Sequence, residues 1–470
     1  MPKIVIAVFD GLQRSQVSVE LMPVVSALAD KGVRFQHNHA VFPTVTRSNS
    51  ASLVTGVTPG KHGLTANKSV YVEYSTTEVV DALIPELAKI NDLTDGGLLF
   101  VPTLGELISQ KNLTWVSVVG GTSGNAFVQH PNAAKYGGVI IHPEFTNPPE
   151  HHAVITNKFG AWPGKKARSG ALVERTADVA IEYVLDGLNP DVLLIWFPEP
   201  DTSQHACGVD STEARQMYSL ADENLGKLLR SISNGGEDPD VFIVSDHGYS
   251  TIDSVIDVHV ELALAGFCPD QGARSVVVAE NGGSVLLYLP KKNDQLAIDL
   301  VDWLDDQEWV GAIATDIAAV EKHKFASIND IGLEGPRSPD VVVTMRSVET
   351  GQSPPLGRSG TATGGLIGVG SHGGGSPDEL HNTLIVSGPS FLSKPFGIRS
   401  QFASGNIDVA PTVLELLGLP IPTHMEGRIL TEALVGGMDP IVQASTNSSE
   451  QSPIVRTATT GEKTYVCEFG

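Results

Sequence analysis

The sequence is short of cysteine and of positive charge, and each shortage removes a class of function. Three cysteines in 470 residues, Cys207, Cys268 and Cys467, are too few and too scattered for a disulfide framework or a zinc-thiolate motif. The first two read as buried thiols. Lys and Arg number 31 against 54 Asp and Glu, a formal charge of −23, which argues against tight binding to a nucleic-acid polymer or an anionic membrane surface. No run approaches the roughly 18 apolar residues of a membrane span. The opening MPKIVIAVFD lacks the longer apolar region and cleavage site of a signal peptide, so a cytoplasmic location is expected. Internal repeats and long low-complexity tracts are missing too. A small phosphorylated substrate stays compatible with the acidic balance if metal cations reverse the field locally. Homo-oligomerisation is left open.

What is present is an alternation of strand-like and helix-like segments. Residues 3–9 form a continuous β-branched run of the kind a buried parallel strand shows, closed by Asp10-Gly11. Residues 21–30 read as an amphipathic helix, 33–42 as a strand and 48–54 as a helix with Thr46 at its entrance. After long loops between 68 and 170, alternation resumes: helix 171–185, strand 192–197, helix 213–231 and strand 241–244. The pattern predicts an α/β fold with a doubly wound, mainly parallel sheet flanked by helices. Residues 275–279 and 284–289 flank Glu280-Asn281-Gly282-Gly283, a hairpin signal, within a predicted α+β accessory lobe at 251–368. The catalytic core is therefore expected to be discontinuous, 1–250 and 369–435, with a polar tail at 436–470.

Thr46 is the centre of the functional reading. A hydroxyl at a helix entrance sits near free backbone N–H groups and the positive end of the helix dipole, a suitable place for a nucleophile attacking phosphorus. An ordinary N-cap has the same composition, so Thr46 gains meaning from its company. Asp10, Asp201, His205, Asp246, His247 and His372 each follow an apolar run or stand among glycines, at the sheet edge where α/β sites form. They supply mixed oxygen and nitrogen ligands that suit two zinc ions, with manganese or iron also fitting. The Asp201-x-x-x-His205 spacing lets both side chains face one ion on a helical turn. Two divalent ions about 4 Å apart suit in-line displacement at phosphorus. No neighbouring His-Asp pair would otherwise activate the threonine. Asn67 and the backbone N–H following Thr46 are candidate donors to a non-bridging oxygen.

In order along the chain, FDG at Asp10, FPTVTRSN at Thr46, SLVTGVTPGKHGLTAN ending at Asn67, EPDTSQHACG, SDHG and GVGSHG resemble the alkaline phosphatase superfamily. The branch they look most like is the nucleotide pyrophosphatase/phosphodiesterase type. The resemblance spans roughly residues 3–250 and 365–430, including APTVLELLGLP and HMEGR. It implies an alkaline phosphatase-like fold and a phosphodiesterase working through a covalent phospho-threonine. It further implies that Asp201, His205 and His372 hold one zinc and that Asp10, Thr46, Asp246 and His247 hold the other. His381 and His424 match no implied ligand and read as structural.

Two departures bear on the substrate. Arg47 follows the nucleophile and is a substrate-contact candidate, although a solvent-facing position is the expectation. Trp162-Pro163-Gly164 looks like a diesterase segment near the substrate, yet Lys165, Lys166 and Arg168 follow at once. Basic pairs there resemble relatives that hydrolyse phosphonoacetate or phosphate monoesters, where a dianionic end needs extra positive charge. The rival to a phosphodiesterase is thus a phosphonoacetate hydrolase or monoesterase using the same site. Sulfatase chemistry is disfavoured, since position 46 lacks the C/S-x-P-x-R context, and an inactive metal-binding scaffold ranks lowest because all six ligands and the threonine are present.

Overall fold

The computed structural model describes residues 3–165, 169–236, 238–267, 275–291, 293–320, 324–440 and 454–470. Lys166, Arg168 and Cys268 lie outside the described residues. A nine-stranded sheet organises the molecule. Its order is Ile398–Gly405, Val33–His39, Leu384–Ser387, Asp240–Val244, Ile4–Phe9, Val192–Phe197, Trp115–Val119, Val139–His142, Phe145–Asn147. Ile4–Phe9 lies at the centre, parallel to both neighbours, with Phe9 opposite Phe197 and Val8 opposite Val244. All six of its residues are buried, as expected of an unbroken apolar run covered on both faces. Leu384–Ser387 runs against both of its neighbours, and Phe145–Asn147 forms an antiparallel edge. The sheet is otherwise parallel, the α/β architecture expected.

Two apolar layers cover the sheet. On one face Phe9, Phe197, Leu225 and Tyr218 belong to a single cluster; on the other, Trp115, Trp196, Phe242 and Val413 belong to a second. Parallel strands all present their C-terminal ends to one edge, so Asp10, Pro198-Glu199 and Ser245-Asp246 emerge side by side. That convergence is why Asp10 can share one site with residues 188 to 236 positions later in the chain.

A smaller antiparallel sheet, Val277–Glu280, Ser284–Tyr288, Val341–Met345 and Val310–Thr315, packs with the helices Val258–Leu264 and Asp294–Asp305 around its own apolar cluster. A further sheet joins Ser250–Val255, Gly370–Ser371, Arg358–Ala362 and Ser347–Glu349. Arg337, whose side chain is 1% exposed, ties residues 330–340 to the loops after Thr46. Its guanidinium donates to both Glu73 carboxylate oxygens at 3.1 and 3.2 Å and to the carbonyls of Gly63 and Leu98 at 3.0 and 2.8 Å. It also lies 4.7 and 4.4 Å from the Tyr71 and Phe100 ring centroids. Replacing it by Met keeps the bulk but orphans two carbonyls and a carboxylate. Arg337→Met should lower the unfolding free energy by about 3 kcal/mol in urea denaturation; a change below about 0.5 kcal/mol, the size of an ordinary surface substitution, would refute this role.

The polar tail differs from its expectation. Val455–Thr460 and Lys463–Phe469 form an antiparallel hairpin, with Phe469 edge-on to Phe42 at 5.2 Å and the Tyr465 hydroxyl donating to Asp408 at 2.8 Å. The alternation Tyr465-x-Cys467-x-Phe469 was the strand signal, hidden by the Ser, Thr and Glu around it. Among the described residues no helix is long and apolar enough to cross a membrane.

Candidate active site

Thr46 is the first residue of the helix Thr46–Thr55, and the N-cap is Val45, with no side-chain cap. The hydroxyl is therefore not used in capping. It is 8% exposed and lies 3.3 Å from His247 Nε2. His247 belongs to a turn directly after Asp240–Val244, and its Nδ1 faces the Gly248 carbonyl at 3.0 Å. That bond places the proton on Nδ1 and leaves the Nε2 lone pair facing the site.

The same device recurs twice. His205 Nδ1 faces the Gly370 carbonyl at 3.0 Å, and His372 Nδ1 faces the Thr44 carbonyl at 2.7 Å. The freed Nε2 atoms of His205 and His372 lie 3.1 Å apart, and both approach Asp201 Oδ1, at 3.3 and 3.6 Å. The His247 and His372 rings stack at 3.7 Å. Asp201 opens the helix Asp201–Cys207, so the four-residue spacing does bring it and His205 to one face.

Asp10, Asp246 and His247 form one group of mutually close ligand atoms, and Asp201, His247 and His372 another. His247 thus reaches both. His205, with 44% of its side chain exposed, stands at the rim. Asp10 Oδ2 accepts from Trp196 Nε1 and Asp246 Oδ1 from the Gly11 N–H, each at 3.0 Å. The other oxygen of each, Asp10 Oδ1 and Asp246 Oδ2, is buried without a hydrogen-bond donor. An orphaned buried carboxylate oxygen is costly unless a cation meets it. The donor set, three carboxylates and three imidazoles with their tautomers fixed by second partners, fits divalent metal ions.

Gly11 makes the close packing feasible: its φ is +71°, and a Cβ there would lie 2.4 Å from Tyr249. Tyr249 was missed by the sequence reading. Its hydroxyl donates to Asp201 Oδ1 at 2.5 Å, and its ring abuts His205, His247 and His372. The only signal was its place directly after SDHG.

The electrostatics fit a cation. Burial, then the nearby Asp246 and Asp201 carboxylates, push Asp10 well above the usual carboxylate range. Burial likewise raises Asp246, although His247 and the Gly11 N–H pull it back. Burial would also raise Asp201, but His205 and Lys165 outweigh it and hold it well below that range. Burial, then the neighbouring His247 and His205 imidazoles, push His372 well down, keeping it neutral and able to ligate.

Asn67 Oδ1 accepts the Arg47 backbone N–H at 3.0 Å. The two expected donors are therefore bonded to each other, and the free donor end is the Asn67 amide nitrogen. Arg47 does not face solvent. It is 8% exposed, and its Nη1 is held by Asp81 Oδ1 at 2.5 Å and the Asn67 carbonyl at 3.1 Å. Both residues line a cleft of about 380 Å³ together with His205, His372, Asp81 and Glu280. Lys165 reaches the site from outside: its Nζ is 3.5 Å from Asp201 Oδ2, with 34% of the side chain exposed. Desolvation lowers its pKa, but the Asp201 and Asp10 carboxylates outweigh that and hold it above the ordinary value. His381 Nε2 pairs with His39 Nε2 at 2.9 Å, outside the ligand groups.

This mainly parallel sheet flanked by helices, with carboxylates and imidazoles gathered at one strand edge, is alkaline phosphatase-like in fold. Murine ectonucleotide pyrophosphatase / phosphodiesterase 5 superposes with a TM-score of 0.60 at 16% identity, covering 90% of this chain and 96% of that one. That structure is of an inactive threonine-to-alanine variant in complex with AMP. The family model for type I phosphodiesterase / nucleotide pyrophosphatase matches residues 4–349. The chain belongs to this family. It is 24% identical over 254 residues to ectonucleotide pyrophosphatase/phosphodiesterase family member 7 of Homo sapiens, covering 53% of this chain and 48% of the relative. A Caenorhabditis elegans ectonucleotide pyrophosphatase/phosphodiesterase is 23% identical over 276 residues, covering 58% and 29%. The chain spans about half the length, or less, of the curated relatives it matches.

Proposed function

We propose that this protein is a phosphoric ester hydrolase, a phosphodiesterase or nucleotide pyrophosphatase, that works through Thr46 with two zinc ions. The observation that carries the reading is the position of the Thr46 hydroxyl, uncommitted to capping and 3.3 Å from an imidazole nitrogen shared by both ligand groups. Asp201, His205 and His372 would hold one ion, and Asp10, Asp246, His247 and Thr46 the other. Bound there, the ions supply positive charge that lowers the hydroxyl pKa and stabilises charge on the transferring phosphoryl group.

The chain's own residues supply the rest. The Thr46 oxygen, its proton lost to solvent, attacks phosphorus; the bond to the leaving oxygen breaks, and the alcohol or nucleotide departs. Water then cleaves the phospho-threonine, regenerating the hydroxyl and releasing a phosphomonoester. The Asn67 amide nitrogen, aimed by the Arg47 N–H on its other end, donates to a non-bridging oxygen. Arg47 acts as a wall of the cleft and keeps Asn67 in place. Inactivation of the murine neighbour by a threonine-to-alanine change is in line with a threonine nucleophile. Selectivity for the leaving group is assigned to the loops of residues 67–170 and the lobe of residues 251–368.

One observation favours a second reading. The Lys165 ammonium beside Asp201 could meet the extra negative charge of a phosphate monoester or phosphonoacetate. Rates of the zinc-loaded protein on an aryl phosphodiester, the matching monoester and phosphonoacetate separate the two. The diester is expected to be turned over fastest, and Lys165→Ala should leave that rate within about threefold. A faster monoester or phosphonoacetate reaction, lost in Lys165→Ala, would reverse the assignment. Zinc binding without turnover of any of the three would leave only a metal-binding scaffold.

A further inference from the structure

Glu379 carries no role in the site so far, yet its carboxylate joins three segments that hold it. The residue is 5% exposed and sits in the short helix Pro377–Leu380. Its Oε1 accepts from Ser250 Oγ at 2.8 Å and from Ser376 Oγ at 3.1 Å. Its Oε2 accepts from the Gly374 N–H at 2.5 Å and is 3.1 Å from Thr44 Oγ1. Thr44 stands two residues before Thr46, Gly374 two after His372, and Ser250 three after His247. Thr44 itself is tied three times to the glycine-rich loop, first by its hydroxyl, which lies 2.8 Å from the Gly374 carbonyl oxygen. Its hydroxyl accepts the Gly373 N–H at 2.9 Å and its carbonyl takes His372 Nδ1 at 2.7 Å. The loop depends on glycine to come this close: Gly373 has φ +103°, and a Cβ there would lie 1.9 Å from the Asn281 carbonyl oxygen. The Gly248 N–H adds a backbone tie to Glu379, donating to its carbonyl at 2.7 Å.

We propose that Glu379 is a positioning residue whose buried carboxylate fixes the spacing between the Thr46 hydroxyl and the imidazoles of His247 and His372. It touches neither substrate nor metal ligand side chains; it acts through Thr44, Gly374 and Ser250. A cap for its own four-residue helix would need only Ser376. The other three contacts reach across 5 to 335 positions of sequence and end beside the nucleophile and two ligands. The proposal rests on the reading of Thr46 as nucleophile.

Glu379→Gln keeps the side-chain shape but turns an NH₂ group toward donors that need an acceptor. With zinc saturating, kcat on an aryl phosphodiester should fall about 10- to 100-fold, the scale of a sub-ångström to one-ångström misplacement. KM should stay within about threefold and two zinc ions per chain should remain. Thr44→Val should lose a similar factor and Thr44→Ser should restore it. Combining Glu379→Gln with Thr44→Val should cost little more than either change alone, the coupling of residues in one network. Unchanged kcat in folded Glu379→Gln would overturn the proposal, as would a reduced yield of folded protein that retains full kcat. If Glu379→Gln does not fold, equal kcat in Thr44→Val and wild type overturns it instead. Thr46→Ala, assayed alongside, separates the two ideas: its retained activity would remove the nucleophile reading whatever Glu379 does, whereas an inactive Thr46→Ala with unaffected Glu379 and Thr44 variants would remove only the positioning role.

Discussion

Thr46→Ala is expected to abolish turnover while both metal ions stay bound. The proposed attacking oxygen is removed and no other hydroxyl takes its place: among the described residues Thr46 is the one whose Oγ meets His247 Nε2. Thr44, two residues earlier, is committed to Gly374, Glu379 and Gly373. The six other proposed ligands are untouched by the change, and the helix N-cap is Val45, so neither metal affinity nor helix stability is expected to depend strongly on the hydroxyl. The loss in kcat should be on the order of 10⁴-fold or more, as for removal of a nucleophile elsewhere. Metal analysis of the purified variant should still give two ions per chain. Activity within about tenfold of wild type would sink the covalent mechanism.

Asp246→Ala is expected to cost one metal ion as well as activity, which separates a ligand from a nucleophile. Asp246 is fully buried; its Oδ1 holds the Gly11 N–H beside Asp10, and its Oδ2 has no donor. Without it, the Asp10–His247 group loses a charge, the Gly11 N–H is orphaned and a polar-lined cavity opens. Metal content should fall from two ions to about one, and activity should fall with it, by roughly 10³-fold or more even with excess zinc. The same change should also make stability less sensitive to chelator. In the stripped wild type, Asp10 and Asp246 repel each other within a buried site, so removing one relieves the other. Chelation should therefore lower the melting temperature of wild type by more than that of Asp246→Ala. Two ions retained at full occupancy in the variant would show that Asp246 is no ligand.

The parts of this site that could be read in the sequence are those whose chemistry is local. Asp10 follows an apolar strand and Asp246 another, and parallel strands must end at a common edge. Asp201 and His205 share a helical turn, so their meeting follows from spacing alone. The contacts that could not be read are those that cross the chain. Tyr249 reaches Asp201 over 48 positions and Thr44 reaches Glu379 over 335. Neither residue type is unusual in its own segment, so no local pattern marks them. Arg47 was misplaced for a related reason. A charged side chain on a helix is usually solvated, and only the fold brings Asp81 from a distant strand to neutralise it. The tail was misread because its strands are amphipathic and rich in hydroxyls. Half-buried hairpin strands look like polar linkers until the surface they cover, here Phe42 and Asp408, is known.

The most direct test of the account is to stop the wild-type protein in acid during turnover of an aryl phosphodiester and examine the peptide carrying residue 46 by mass spectrometry. A phosphoryl ester of the substrate, less its leaving group, is expected on Thr46, absent before substrate is added and absent from Thr46→Ala. Rapid turnover with Thr46 unmodified at every quench time, together with inversion of configuration at a chiral phosphorus, would mean that water attacks the substrate directly and that Thr46 is not the nucleophile.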